Sequence, residues 1–126
     1  MITRLSLYER VGGVPFFERL VGRFYENVAS DPPLRALYPE EELGPAQHRL
    51  TLFLAQYWGG PKTYQEERGH PRLRMRHVPF AIDATQRDRW LAHMRAALAE
   101  IELAPADADE LDRYFAFAAE SMRNRP

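Results

Sequence analysis

Cysteine is absent from this chain of 126 residues. Its absence excludes disulfides, thiolate zinc sites, iron–sulfur clusters and cysteine nucleophiles. Serine is scarce, since the chain has only Ser6, Ser30 and Ser121, and none lies in the G-x-S-x-G context of a hydrolase nucleophile. The sequence also has no HExxH zinc pair and no glycine-rich phosphate loop of the GxxxxGK[ST] or GxGxxG type. A hydrolase, a helical zinc protein and a nucleotide-binding protein are therefore poorly supported.

Long apolar runs and an excess of one charge are missing as well. No stretch has the length of a membrane span, and the N-terminus has no signal-peptide pattern. The formal net charge is −1, so the whole chain does not have the electrostatic character of a nucleic-acid-binding protein. A hydrophobic content of 45% predicts one globular domain over residues 1–126, which we expect to be cytoplasmic.

The clearest pattern that is present is helical periodicity. Apolar residues recur at the spacing of one helix face in several long segments, and no window alternates long enough for a strand. Asp83, placed three residues before Gln86, has the spacing of a capping box. The sequence therefore predicts an all-α fold. The predicted helices are 14–29, a short piece between 30 and 38, 44–58, one opened by Asp83 and running to Glu102, and a last helix beginning at Pro105.

The periodicity fails between Gly59 and Phe80, where the sequence predicts a long loop. Within it, the run Arg68–His77 contains four arginines and two histidines. A long loop inside a compact domain is usually functional or disordered, and its aromatic and apolar residues argue against disorder. A short helical turn in this run would aim one imidazole inward while guanidinium groups face an anion. This combination suits a cofactor with a metal at its centre and carboxylates at its edge. A single axial histidine leaves haem open, because its iron needs only one strong protein ligand.

Several sequence segments together identify a family resemblance. They are Tyr8-Glu-Arg-Val-Gly-Gly13, Arg23-Phe-Tyr25, Leu37-Tyr-Pro39, Gln56-Tyr-Trp-Gly-Gly-Pro61 and Gly69-His-Pro-Arg-Leu-Arg-Met-Arg-His77, followed by Phe80 and Trp90. The chain resembles the group II truncated haemoglobins, small globins with a two-over-two helical sandwich around haem. The similarity begins near Leu7, reaches the last helix and is dense over residues 56–90. It implies haem b, iron protoporphyrin IX, as the cofactor.

The resemblance implies that His77 is the proximal ligand of the haem iron. Arg74 and Arg76 would face the haem propionates, because guanidinium groups form charge-assisted hydrogen bonds with carboxylates. The other cofactor contacts that it suggests are Arg49, Tyr64, His70, Leu73, Met75, Phe80 and Met94. For each of these residues the alternative is a solvated side chain or ordinary core packing.

On the distal side, the resemblance places Tyr25, Tyr38 and Trp90 around the ligand position. Each has an apolar body and one polar tip that can donate a hydrogen bond to bound O2. The alternative is three core aromatics whose polar tips bond to backbone carbonyls. The remaining distal residues would be Ala46, Leu50 and Phe53. Because Ala46 would replace the familiar distal histidine and donates nothing, the three aromatic residues would have to supply the hydrogen bonds.

Such a pocket predicts tight binding of O2, with NO, CO, peroxide and sulfide as further small ligands. Tight binding favours redox chemistry, either NO dioxygenation or peroxide turnover, with an unidentified reductase to recycle ferric iron. The alternatives are an oxygen carrier or store, a haem sensor acting through a partner, and a cofactor-free helical interaction module. The sequence leaves open whether the chain is an enzyme, whether it forms a homodimer, and whether Tyr25 and Tyr38 become covalently coupled.

Overall fold

A computed structural model describes residues 5–126, which form eight helices and no strand. The all-α prediction is therefore confirmed; residues 1–4 of the predicted domain lie outside the described range. In this part of the chain, no helix combines the length and apolar character needed to cross a membrane. The helices are α1 (Leu7–Val11), α2 (Val14–Ala29), α3 (Pro32–Arg35), α4 (Gly44–Tyr57), α5 (Thr63–Arg68), α6 (Leu73–His77), α7 (Ala84–Ala99) and α8 (Pro105–Met122).

The four long helices form the core. Helix α2 contacts both α4 and α7, and α7 packs against α8. These contacts give the expected two-over-two arrangement, in which each long helix buries one apolar face. The largest fully buried side chains are Phe17, Leu20, Val21, Phe24, Val28, Leu54, Met94, Leu111 and Phe115. Since burial of one such side chain contributes about 1.5–3 kcal/mol, this packing provides the frame on which the shorter segments are held.

Helix α7 begins as predicted and ends early. The Asp83 side chain accepts a hydrogen bond from the N–H of Gln86 at 2.9 Å, which satisfies a free donor of the first turn. The helix ends at Ala99 and not at the predicted Glu102. The N–H of Ile101 bonds to a carbonyl three residues back, at 3.1 Å, so the last turn tightens and leaves the α-helical path.

The region between Gly59 and Phe80 is not the continuous loop that the sequence predicted. It contains α5 and α6, and the prediction of a short helical turn before His77 is confirmed. Helices this short give no clear periodicity and are not stable alone, so neighbouring elements must support them. Helix α5 rests on α4, and α6 rests on α8. Tertiary contacts, which a periodicity analysis does not include, therefore determine this region.

The segment between α3 and α4 is held by one arginine. The guanidinium of Arg35 donates to the backbone carbonyls of Tyr38 at 3.1 Å and of Glu40 and Glu41 at 2.8 Å each. Helix α3 itself spans only Pro32–Arg35, less than the predicted piece. Beyond the end of α3, the hydrogen bonds of Arg35 therefore fix the backbone that carries Tyr38.

Helix α1, which periodicity did not predict, packs against the end of α4. The N–H of Tyr8 donates to the carbonyl of Trp58 at 3.1 Å. A Cβ atom on Gly60 would lie 2.5 Å from the Tyr8 ring and 2.7 Å from the carbonyl oxygen of Ala55. Only glycine allows this close approach of backbone and ring.

Candidate functional site

A cavity of about 480 Å³ lies between α2, α4, α6, α7 and α8. This volume is within the roughly 300–1,000 Å³ that cofactor and small-molecule sites occupy. Twelve of the residues predicted for the haem site line it: Tyr25, Tyr38, Ala46, Arg49, Leu50, Phe53, Tyr64, Leu73, Arg76, His77, Phe80 and Trp90. Residues from distant parts of the sequence thus meet around one space.

His77, at the end of α6, is half-buried and has a defined ring orientation. Its Nδ1 lies 2.6 Å from the carbonyl oxygen of Leu73, one helical turn earlier. A carbonyl can only accept a hydrogen bond, so Nδ1 carries a proton, and in the neutral imidazole the lone pair is therefore on Nε2. An imidazole held in this way by a backbone carbonyl is typical of metal-ligating histidines.

Tyr25, Tyr38 and Trp90 form an aromatic cluster on the cavity wall. The rings of Tyr25 and Tyr38 meet edge to face, with centroids 5.6 Å apart. Burial raises the pKa of the Tyr25 hydroxyl well above its ordinary value. Burial also raises the pKa of Tyr38 to about 12, against the opposing effect of hydrogen bonding from Tyr25 and Trp90. Both phenols are therefore protonated at neutral pH and can act as donors.

An ion pair lies at the edge of the cavity. Nη2 of Arg49 donates to Oε1 of Glu40, and both residues line the cavity. Oε2 of Glu40 is buried without a hydrogen-bond partner among the described residues. Burial raises the pKa of the Glu40 carboxyl, but hydrogen bonding from Arg49 and the charges of Arg49 and Arg35 outweigh it, so the net pKa is lowered. Glu40 is thus an ionised residue of the site that motif analysis missed.

The guanidinium of Arg76 braces the loop before α6. Its Nε donates to the carbonyl of Pro71 at 2.7 Å, and Nη2 donates to the carbonyls of Arg68 at 3.0 Å and His70 at 3.3 Å. Arg76 also lines the cavity, as does Arg68, which was not predicted. In this structure, therefore, Nε and Nη2 of Arg76 donate to the backbone that positions α6.

Four predicted cofactor residues do not line the cavity. Arg74 and Met75 are exposed, because Leu73, Arg76 and His77 occupy the inner face of α6 and helical rotation turns the two residues between them outward. His70 is also exposed, and its Nδ1 accepts the N–H of Arg72 at 3.1 Å. Met94 is fully buried in the core, so the helical stripe that it shares with Trp90 continues past the cavity into ordinary packing.

The inner face of α8 also lines the cavity. Tyr114, Ala118 and Met122 follow one another at helical spacing along this wall. Periodicity identifies the inward face of a helix but does not show whether that face meets another helix or an open space. Gln86 and Arg87, near the start of α7, also line the cavity, and the sequence patterns did not predict them there.

The residues of the cavity fit a haem group. One imidazole nitrogen is available as a metal ligand, and apolar side chains from α4 and α6 line the space in which a flat ring would pack. Arg49, Arg68 and Arg76 supply cationic groups that match ionised carboxylates. The chemistry of these donors corresponds to the iron, the ring and the propionates of haem.

Comparison with known proteins places this geometry in a family. Residues 6–124 match the bacterial-like globin family. A group 2 truncated hemoglobin of Bacillus subtilis is 43% identical over 96 residues, which cover 76% of this chain and 71% of that protein. The crystal structure of a thermostable hemoglobin from Thermobifida fusca is 58% identical, with a TM-score of 0.95 over 97% of this chain and 99% of that one. The group II truncated hemoglobin of Bacillus anthracis is 34% identical, with a TM-score of 0.94 over 99% and 95%. The chain therefore belongs to the bacterial-like globins and, within them, to the group II truncated haemoglobins.

Proposed function

We propose that this globin binds haem b through His77 and holds O2 tightly beneath Tyr25, Tyr38 and Trp90 for oxygen-linked redox chemistry. Membership in the globin family implies haem binding. The observation that carries the finer proposal is the meeting of Tyr25, Tyr38 and Trp90 in one cavity with an imidazole whose Nε2 has no hydrogen-bond partner among the described residues. When bound, haem supplies a reversible binding position for O2 and other diatomic ligands.

The side chains around the cavity have distinct roles in this proposal. Leu50 and Phe53 would pack on the distal side, and Leu73 and Phe80 on the proximal side. Arg49 and Arg76, joined by Arg68, would neutralise the propionates, and the exposed Arg74 would contribute from the surface. Ala46 leaves the distal wall open and donates no hydrogen bond, so ligand stabilisation depends on the aromatic cluster.

The expected strength of that cluster favours redox chemistry over storage. A hydrogen bond to a charged acceptor contributes about 1.5–3 kcal/mol. Two effective donors would therefore slow ligand escape by roughly two to four orders of magnitude, since about 1.4 kcal/mol is a factor of ten. An oxygen store must release its ligand readily, so slow release supports NO dioxygenation or peroxide turnover. In the dioxygenation, one NO and one O2 give nitrate; haem held by His77 would supply the one electron required, which a separate reductase would have to return.

Stopped-flow measurement of O2 release tests the proposal directly. We expect Trp90→Phe and Tyr25→Phe to release O2 at least about tenfold faster than the unmodified protein, because each removes one donor worth about 1.4 kcal/mol or more. Tyr57→Phe is the matched control, since Tyr57 is exposed and does not line the cavity. Release as fast as that of an oxygen-storage globin, or an unaltered rate in both cavity variants, would contradict tight binding by this cluster.

A second measurement tests the reaction class. The protein equilibrated with O2 is mixed with NO, and nitrate is quantified against the protein consumed. One nitrate per protein within the mixing experiment is expected for dioxygenation. Nitrate formation no faster than in buffer would leave peroxide turnover as the chemistry to be assayed. A purified protein without a Soret band after haem addition would instead support the cofactor-free module.

A further inference from the structure

We propose that Asn124 is a positioning residue for the proximal histidine, acting from beyond the end of α8. The side-chain amide of Asn124 donates two hydrogen bonds through Nδ2. One goes to the backbone carbonyl of His77 at 3.2 Å, and the other goes to that of Phe80 at 2.9 Å. We call Asn124 with its side-chain hydrogen bonds the C-terminal clamp.

The clamp also holds the chain on its way to α7. Oδ1 of Asn124 accepts the N–H of Ile82 at 2.9 Å. The backbone N–H groups of Asn124 and Arg125 donate to the carbonyl of Ile82 at 2.9 and 3.1 Å. Both N–H donors and the oxygen of the Asn124 amide are therefore used. They contact the backbone of the last residue of α6 and of the segment that follows it.

The residues that the clamp holds all face the site. His77, Phe80 and Ile82 line the cavity, and the backbone from 78 to 83 belongs to no helix. Helix α6 has five residues, too few to fix its own position. The place of His77 must come from tertiary contacts, and the clamp supplies them directly at the carbonyl of this residue.

Two independent restraints therefore act on His77. The carbonyl of Leu73 accepts from Nδ1 and sets the rotation of the imidazole ring. Asn124 fixes the backbone from which the ring projects. A histidine held only at its ring could still shift with its backbone, so the second restraint is needed to keep Nε2 at a constant position. This inference rests on the proposed role of His77 as the iron ligand.

The test uses the full-length haem-loaded protein with two variants of the clamp. Asn124→Ala removes the side-chain hydrogen bonds to His77, Phe80 and Ile82, together with a longer one from Arg125 at 3.4 Å. Asn124→Asp keeps an acceptor for Ile82 but loses both donors. The matched control is Asn27→Ala. Nδ2 of Asn27 also donates to a backbone carbonyl, that of His93, at 3.1 Å, but Asn27 does not line the cavity. His77→Gly shows separately whether the signal belongs to His77.

The readouts are the iron–histidine stretching band in resonance Raman spectra of the ferrous protein and the rate of haem transfer to an acceptor globin. We expect both Asn124 variants to shift or broaden the band and to lose haem about tenfold faster, equivalent to about 1.4 kcal/mol, while Asn27→Ala changes neither. If Asn124→Ala does not fold, Asn124→Asp decides.

An unshifted band in the clamp variants would overturn the clamp alone, provided that His77→Gly abolishes the band. An equal change in Asn27→Ala would also overturn it, because general loss of stability would then explain the effect. Persistence of the band in His77→Gly would overturn the proposed ligand itself, so failure of the clamp and failure of the ligand assignment are distinguishable.

Discussion

At the scale of single residues, the surroundings of a side chain decide its chemistry more than its type does. The chain has four histidines with different partners. His48 is exposed and pairs with Glu67 at 3.0 Å, and His93 pairs with the buried Asp31 at 2.7 Å. Only at His77 among these three does a carbonyl occupy Nδ1 while the residue lines the cavity. The hydrogen bond between Nδ1 and the carbonyl of Leu73 therefore distinguishes the proposed ligand from His48 and His93.

His77→Gly should weaken haem binding strongly, and added imidazole should restore part of it. The variant leaves a space where the side chain was, so free imidazole can occupy the ligand position without the covalent link. Haem affinity measured by Soret titration with and without imidazole checks this expectation. His48→Gly is the control, because that side chain lies on the surface. Normal haem affinity in His77→Gly without imidazole would rule out the proposed ligand.

The arginines show what residue patterns do and do not predict. The run 72–76 was expected to place Arg74 and Arg76 together at the propionates. The structure places Arg76 on the cavity and Arg74 on the surface, because two residues along a helix are about 200° apart in direction. Glu40 was not predicted at all, since no local motif indicates that its partner will be Arg49.

At the scale of helices, Asp31 links α3 to α7. Its carboxylate accepts the N–H of Leu34 and pairs with Arg89 at 2.8 Å and His93 at 2.7 Å. This contact connects the element leading to Tyr38 with the helix that carries Trp90. Hydrogen bonding from His93 is the main cause that lowers the pKa of Asp31 below its ordinary value of 3.8.

Asp31→Asn should lower the free energy of unfolding by about 1–3 kcal/mol at neutral pH, since a charged hydrogen-bond partner is lost. Because the folded pKa of Asp31 is depressed, its stabilisation is fully present above the unfolded pKa of 3.8 and is lost as pH falls through the folded value. Denaturant titrations of both proteins at several pH values measure this. The difference between their free energies of unfolding should disappear in acid.

Asp109→Asn provides the comparison for Asp31. Asp109 pairs with Arg113 on the exposed face of α8, where an ion pair contributes about 0.3–0.5 kcal/mol. A difference between the unmodified protein and Asp31→Asn that stayed constant down to strongly acidic pH would show that ionisation of Asp31 does not contribute.

Gly60→Ala should destabilise the junction of α1 and α4 by about 1–3 kcal/mol, the usual cost of an overpacked position. The new Cβ would lie 2.7 Å from the backbone oxygen of Ala55, which has little room to move. Gly44→Ala is the control, because a Cβ there would meet nothing within 4 Å in residues 5–126. Thermal unfolding of both variants checks the expectation, and equal Tm values would show that the junction adapts without cost.

Sequence patterns predict the long helices but not the short ones. The long helices α2 and α4 were predicted within one residue of their bounds, because glycines, prolines and an apolar face mark both ends. Helices α5 and α6 were not predicted from periodicity, since their stability comes from α4 and α8. An element supported by contacts distant in sequence leaves little trace in its own residues.

At the scale of the whole molecule, the cavity makes stability depend on the cofactor. The cavity of about 480 Å³ is lined by side chains from several helices, and a haem bound there would make packing contacts with them. A haem that binds the native state alone would stabilise it by about 4 kcal/mol at a thousandfold excess over its dissociation constant.

Removal of haem should therefore lower the Tm by about 10 °C or more, given about 2–5 °C per kcal/mol for a domain of this size. Differential scanning calorimetry of haem-loaded and haem-free protein measures the difference. His77→Gly should gain less from haem than the unmodified protein does. Identical Tm values with and without haem would contradict the proposal that haem fills this cavity.

The sequence by itself determined the helical class, the long helices and the residues of the family motifs, because apolar periodicity, caps and glycine stops act over a few neighbouring positions. Only the tertiary structure decided which of those residues surround the cavity. The clamp shows the reason, since Asn124 and His77 are 47 positions apart and no local pattern connects them. Packing of the four long helices creates the space, and contacts across that distance decide which side chains face it.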